Sequence, residues 1–304
     1  MLKTIRTFFE ARNVLEVDTP LLSSGTVTDQ YIDAFSTKFD FSQVGASKTL
    51  FLQTSPEYAM KRLLCAQSGA IYQICKAFRH EGEGRWHNPE FTMLEWYRPG
   101  FDHHQLMDEV DALLIHCLNT DAATRLTYQT AFLTHVGIDP LSASDDTLIK
   151  AMREHGIDIN EPEQLDTDSK LQLLFSQVVE PAIGNDAPCF IFGFPASQAA
   201  LAKVNAEDPR TADRFEVYFK GAELANGFHE LSDVNEQRLR FIEDNKKRRE
   251  SDLPERPIDE AFLAALESGL PPCSGVALGI DRLLMIKTGA SHIHEVINFT
   301  VNRA

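Results

Sequence analysis

Strand-like runs in this chain alternate with hairpins and long helices, without a regular strand–helix–strand repeat or a G-x-G-x-x-G fingerprint, which argues against a doubly wound parallel sheet. Residues 71–78 are rich in β-branched and aromatic side chains, and 91–97 alternate Phe91, Met93, Glu95 and Tyr97 against Thr92, Leu94 and Trp96. They read as two antiparallel strands joined by a polar loop. The loop, 80–89, holds Gly82, Gly84, Arg85 and His87, which suits a mobile arm that closes on a ligand. A second hairpin is expected from 214–219 and 222–231 across Lys220-Gly221, and 190–194 and 276–279 supply further short strands. The expected class is α+β, an antiparallel sheet flanked by helices.

Leu2, Ile5, Phe8 and Phe9 mark one face of an N-terminal helix that should end near Arg12-Asn13, before an extended stretch stopped at Pro20. Ser55-Pro56-Glu57 supplies an N-cap, a first-turn proline and an acid where the helix dipole favours one, and that helix should run to about Gly69. Leu106, Val110, Leu113, Leu114 and Cys117 form a core-facing helical stripe. Residues 121–185 loosen into short helices with Asp and Ser clusters and read as a helical insertion within one catalytic domain spanning 1–304. Two more helices are expected over 235–250 and 261–266.

Charge excludes one class of partner. With 29 basic against 45 acidic side chains and a net charge of −16, a broad polyanion-binding surface is disfavoured. The five cysteines form no C-x-x-C pair and read as buried thiols in a reducing compartment. The first twenty residues carry Lys3, Arg6, Glu10, Arg12 and Glu16 rather than an apolar signal core, so a soluble cytoplasmic protein is expected.

The chemistry concentrates in three places. Phe78-Arg79-His80-Glu81 runs through the loop into His87-Asn88-Pro89-Glu90-Phe91, and Gly279-Ile280-Asp281-Arg282 lies near the other end of the chain. Arg79 can fork onto a carboxylate and a phosphate at once, with Glu81 accepting from an exocyclic amine. Phe91 can stack under a purine with the Arg282 guanidinium above it. Glu216, Glu223 and Glu230, seven apart, place carboxylates on one hairpin, where they repel unless a cation sits among them; hard oxygen donors select magnesium, and Glu95 and Tyr97 can meet a ligand ammonium. Each feature also has a plainer reading, as a surface ion pair, a core phenylalanine or solvated acids.

Taken in order, these motifs, with His87 to Glu95, Glu223 to Leu231 and Gly279 to Arg282 the densest, resemble the signature segments of class II lysyl-tRNA synthetases over essentially the whole chain. Residues 14–20 resemble that class's first, dimer-forming motif. Those synthetases carry an N-terminal anticodon-binding barrel, whereas this chain starts directly at the first motif. It therefore resembles the stand-alone paralogues that serve elongation factor P rather than tRNA, down to Ser55-Pro56-Glu57-Tyr58, Phe194-Pro195-Ala196-Ser197-Gln198-Ala199 and Cys273-Ser274-Gly275-Val276-Ala277-Leu278-Gly279.

The resemblance implies an AMP-forming ligase that uses ATP and Mg2+ on lysine or (R)-β-lysine and acts as a homodimer on elongation factor P, with no tRNA and no membrane. A truncated lysine–tRNA ligase and a non-catalytic binding module are the alternatives. It implies that Arg79 and Arg282 are catalytic, and that ATP is bound by these two with His80, Glu81, His87, Asn88, Phe91, Glu223, Leu224 and Gly279. It gives the amino acid to Ser55, Pro56, Glu57, Glu95, Tyr97, Asn226, Glu230 and Ala277, and the metal to Glu216 and Glu223. The resembling synthetases commonly have glycine where Ala277 stands, so the extra methyl would reshape the amino-acid pocket. They also tend to place arginine next to the histidine, whereas here Trp86 separates Arg85 from His87.

Overall fold

The computed structural model describes residues 1–40 and 47–304, which fall into two compact units, Met1–Phe101 with Leu231–Ala304, and Asp102–Glu230. The first unit opens with α1 (Leu2–Glu10), which buries Ile5, Phe8 and Phe9 and ends two to three residues earlier than its periodicity predicts, before Asn13 takes a left-handed turn at φ 54°. Short strands β1 (Leu15–Glu16), β2 (Leu22–Ser23), β3 (Ser36–Phe39) and β4 (Lys48–Leu52) follow. Next comes α2 (Glu57–Cys65), then the expected hairpin of β5 (Ile71–Phe78) and β6 (Glu90–Pro99). Helix α2 stops short of Gly69 because Gln67 already sits at φ 63°. β2, β4 and β3 form a small antiparallel sheet, while β1 lies parallel to β5 and β5 antiparallel to β6. Alternation along β6 suggests one wet face, yet Met93, Leu94, Glu95, Trp96 and Tyr97 are all buried. α1 covers one side, with Phe9 stacked on Tyr72 at 4.5 Å and edge-on to Trp96 at 5.3 Å.

The second unit begins with α3 (His103–Leu118), closed at its N-terminus by a reciprocal capping box between Asp102 and Gln105. After β7 (Thr124–Thr127) come α4 (Tyr128–His135), α5 (Asp145–Glu154) and α6 (Thr167–Leu174), so the region expected as short helices also contains a strand. β7 was missed because Arg125 and the threonines give it no apolar run, and only its parallel pairing with β8 (Cys189–Pro195) defines it. Tyr128, Phe132, Phe175 and Phe194 pack the helices into a core of their own, distinct from the first unit's. β8 continues antiparallel to β9 (Thr211–Phe219), and β9 to β10 (Ala222–His229). The turn between the last two places Lys220 at φ 51° and Gly221 at φ 74°, both left-handed, as a two-residue hairpin turn requires. On β10, Gly227 faces Phe215; a Cβ there would lie 2.4 Å from the phenyl ring.

The chain returns to the first unit through α7 (Val234–Glu250), capped by Asp233, and α8 (Glu260–Gly269), capped by Asp259. β11 (Cys273–Gly279) pairs antiparallel with β6, and α9 (Ile280–Thr288) starts immediately after Gly279. Among the described residues no helix is long and apolar enough to cross a membrane.

Asp33 ties the returning segment to the N-terminal part of this unit. It accepts from Arg256 and, at 3.4 Å, from the buried Arg248, whose guanidinium also donates to the carbonyls of Asp29 and Pro254. Partial burial alone would raise the Asp33 pKa, but the contacts with Arg256, His80 and Arg248 outweigh it and hold the carboxyl below its ordinary value. A depressed folded-state pKa stabilises above the unfolded value and loses that contribution as pH falls through the folded one. Asp33→Asn is therefore expected to melt lower than the native chain at pH 7, with the gap closing as pH drops below about 4. A gap that stays constant across that range in thermal melts would refute the assignment.

Candidate functional site

Within the first unit, the end of β5, the loop after it, the start of β6 and the start of α9 come together. Arg79 leaves β5 with its backbone N–H on the Pro89 carbonyl at 3.0 Å, and its guanidinium stands 5.4 Å from the centre of the Phe91 ring. Arg282 donates through Nη2 to His87 Nε2 at 2.8 Å and through Nε to the Trp86 carbonyl at 3.3 Å. Because a guanidinium only donates, His87 Nε2 accepts and the ring proton belongs on Nδ1. Desolvation by its neighbours and the Arg282 charge lower the His87 pKa, Glu81 opposes them, and Arg79 lowers it further. Two arginines some two hundred residues apart in sequence thus both reach the segment from Trp86 to Phe91, Arg282 at His87 and Arg79 at Pro89 and Phe91.

The loop itself departs from expectation. Rather than standing off as a free arm, it is tied to the C-terminal segment. Arg85 donates to the Ser291 carbonyl at 3.0 Å and accepts from Ile293 N–H at 2.9 Å. Asn88 is buried, with its amide on the Glu90 carbonyl and its oxygen accepting from Val301 N–H. Asn88 therefore braces the loop, a role the sequence reading did not assign. His80 also turns elsewhere, to Asp33 at 3.4 Å and edge-on to Phe35 at 5.0 Å. Gly279 sits at the N-cap of α9, where a Cβ would meet only the Arg282 side chain, at 3.6 Å. Asp281, not singled out from sequence, accepts from Thr92 N–H at 2.6 Å and fastens α9 to β6; burial raises its pKa.

On β6, Glu95 is 2% exposed and accepts from the Tyr97 hydroxyl at 2.7 Å. In the β11–β6 register Ala277 lies directly opposite Glu95, and Gly275 opposite Tyr97, so the Ala277 methyl shares the face of both. Glu57 is less available: it receives the Lys61 ammonium at 2.6 Å, and that lysine is fully buried. Ser55 and Pro56 precede it, and the Ser55 hydroxyl accepts from Glu57 N–H. This trio precedes and opens α2, but one residue later than expected: Pro56 rather than Ser55 occupies the N-cap, with no side-chain capping bond, and Glu57 is the first helical residue.

In the second unit, Glu216 lies on β9 and Glu223 on β10, with Glu223 opposite Tyr218 and Asn226 opposite Glu216. A regular strand would send Glu223 and Asn226, three apart, to opposite faces. A bulge between Glu223 and Ala225, which leaves the buried Leu224 out of the pairing, returns both to one face. The same offset carries Glu230, two residues beyond Phe228, to that face too. Glu216 accepts from Arg214 and from the Tyr218 hydroxyl, one on each oxygen. Burial raises its pKa, Arg214 pulls it down, and Glu223 pushes it up again. Arg214 further donates to the Gln198 carbonyl at 2.6 Å and to Asn226 at 3.3 Å, and lies over the Phe194 ring. Neither Arg214 nor Tyr218 was predicted; only their hairpin alternation with Glu216, at 214, 216 and 218, signalled them.

Chemically, the first unit offers two guanidinium groups beside an aromatic face, and a buried acid–phenol pair next to a small residue. The second offers two mutually repelling carboxylates on one face of the β9–β10 hairpin, the donor set that suits a hard cation such as Mg2+. Glu216 has both oxygens engaged by Arg214 and Tyr218, so its remaining lone pairs would serve as a supplement to Glu223.

Comparison with known proteins gives a consistent result. The family described as tRNA synthetases class II (D, K and N) matches residues 1–303. A protein of Vibrio atlanticus (strain LGP32) is 57% identical over 305 residues, covering 100% of this chain and 94% of its own. Proteins of Vibrio cholerae, at 57%, and Edwardsiella ictaluri, at 54%, match over the same shares. All three bear the name elongation factor P–(R)-β-lysine ligase.

Proposed function

Because the chain belongs to the class II tRNA synthetases of the D, K and N group, we propose that it activates (R)-β-lysine, or lysine, with ATP and transfers it to a lysine side chain of elongation factor P. The observation that carries this reading is that Arg282, bonded to His87, and Arg79, at the Phe91 ring, are both held on the one segment between His87 and Phe91.

In the first step a carboxylate oxygen of the amino acid attacks the α-phosphorus of ATP, the bond to the β-phosphate oxygen breaks, and pyrophosphate leaves. In the second, the acceptor amine attacks the activated carbonyl, AMP departs with the bonding electrons, and the amine loses a proton. No covalent enzyme intermediate is required, so positioning and charge neutralisation supply the catalysis. Arg79 bridges the attacking carboxylate and the α-phosphate. Phe91 and Arg282 enclose the adenine, Glu81 accepts from its exocyclic amine, and His87 holds Arg282 in place. Leu224 and Gly279 border the nucleotide, and Asn88 acts through the loop it braces. Glu223, supplemented by Glu216, holds Mg2+, which when bound neutralises phosphate charge. Glu95, Tyr97, Asn226 and Glu230 read the substrate's amines, and Ser55, Pro56 and Glu57 contribute at the helix start. The assembly is a homodimer through residues 14–20, and it works without tRNA in the cytoplasm.

ATP–pyrophosphate exchange with a panel of α- and β-amino acids, followed by transfer to purified elongation factor P, tests the reading; exchange with no basic amino acid would refute it. Ala277 decides the choice between isomers, because its methyl stands against Glu95. A methyl-sized change in a pocket is worth about 1–3 kcal/mol. Ala277→Gly should accordingly shift the ratio of α-lysine to β-lysine activation at least about tenfold. An unchanged ratio removes Ala277 from specificity.

A further inference from the structure

On the opposite face of the β9–β10 hairpin from Glu216 and Asn226, three metal-binding side chains meet. Strand alternation along β9 and β10 puts Asp213 and His229 on that reverse face, where the backbone of Lys203 links them, donating to the His229 carbonyl and accepting from the Asp213 N–H, each at 2.9 Å. His103, the first residue of α3, completes the group. The His229 Nδ1 to Asp213 separation is 3.5 Å, His103 Nδ1 to Asp213 is 4.0 Å, and all three ligand atoms lie within 4.8 Å of one another. A tetrahedral zinc with bonds near 2.0–2.1 Å needs ligand–ligand separations of about 3.4 Å, so side-chain rotation that draws each pair in by at most about 1.4 Å closes the set.

Two further observations point to a ligand. His103 is 8% exposed, and its Nδ1, turned toward Asp213, is a buried nitrogen with no hydrogen-bond partner, an arrangement that is costly unless something binds it. Asp213 is steadied by Asn205, which donates to it at 2.7 Å, an outer contact of the kind that orients a ligating carboxylate. Asp213 and His229 are only partly buried, which leaves room for a water as fourth ligand.

We propose that His103, Asp213 and His229 form a binding site for a divalent transition metal, zinc first, with two imidazole nitrogens, one carboxylate oxygen and water as ligands. The site spans the start of α3 and the reverse face of β9 and β10. It lies one residue from Glu230, so the metal fastens the end of the strand that carries Asn226 and leads into Glu230. The spacing explains why Cys and His counting misses it: the ligands stand at 103, 213 and 229, and no cysteine takes part.

One contact opposes binding. Lys203 Nζ is 3.4 Å from His229 Nε2. With metal on Nδ1 the neutral ring carries its proton on Nε2, which then cannot accept from an ammonium. Lys203, partly exposed, must swing away, so it competes with the metal.

The test uses the full chain, stripped with a chelator and titrated with Co2+ and then Zn2+. Expected are visible ligand-field bands of tetrahedral or five-coordinate cobalt, their loss on adding one equivalent of zinc, and at least about 100-fold weaker binding in both Asp213→Asn and His103→Ala. Lys203→Met should bind more tightly than the native chain. Circular dichroism verifies that each variant is folded, and Asp213→Asn, nearly isosteric, serves if His103→Ala is not. The proposal is overturned if the native chain binds no cobalt, or if Asp213→Asn binds it equally well.

Discussion

Arg79→Ala is expected to slow adenylate formation by about two orders of magnitude or more, roughly 3 kcal/mol of transition-state stabilisation, as for the loss of one preorganised charge donor. The size follows from the position. Arg79 stands over Phe91, within electrostatic reach of the His87 that Arg282 holds, so the charge is fixed before substrate arrives and no reorganisation is needed as the α-phosphate becomes five-coordinate. The loss should appear mainly in kcat, since the proposed bridge between carboxylate and phosphate would be strongest in the transition state. Single-turnover adenylate formation is the measurement; a near-normal rate would remove Arg79 from the chemistry. Arg79→Lys should recover little, because an ammonium cannot fork across two anions.

The second large effect is on stability. Arg214 and Glu216 have side chains only 16% and 9% exposed, and the arginine also bonds Gln198 and Asn226 while the acid also receives Tyr218. Arg214→Met leaves a carboxylate buried without its cation, beside a second carboxylate at Glu223 that already repels it. Removing one partner of such a pair typically costs about 3–5 kcal/mol. Urea unfolding should show a loss of that order, and the double variant Arg214→Met with Glu216→Gln should lose markedly less than the two single changes summed. Additive losses would mean the pair is not coupled, and the electrostatic account of β9 would fail with it.

Legibility from sequence followed the physics of each element. The β5–β6 hairpin, the Lys220-Gly221 turn and the strand leading into α9 were readable because alternation, left-handed turn residues and a glycine before a helix are local signals. β7 was not, since its strand character exists only in the pairing with β8. In the site, Arg79 and Arg282 were legible as motifs, and each touches the segment from Trp86 to Phe91, but the bracing of the loop by Ser291, Ile293 and Val301 was not, because backbone contacts across two hundred residues leave no residue-type trace. The sevenfold spacing of Glu216, Glu223 and Glu230 looked like a rule and is not one. An odd interval along a strand sends side chains to opposite faces; these share a face only because a hairpin reverses the chain and a bulge absorbs one residue.

That reverse face, built from Phe215 against the bare backbone of Gly227, has a consequence for the other side of the strand. With 2.4 Å between an imagined Cβ and the ring, β10 rests on the phenyl group as on a stop. The height at which Asn226 and its neighbours are presented is then set by an aromatic plate behind them, and any bulk added at position 227 would lift that whole row of side chains out of line.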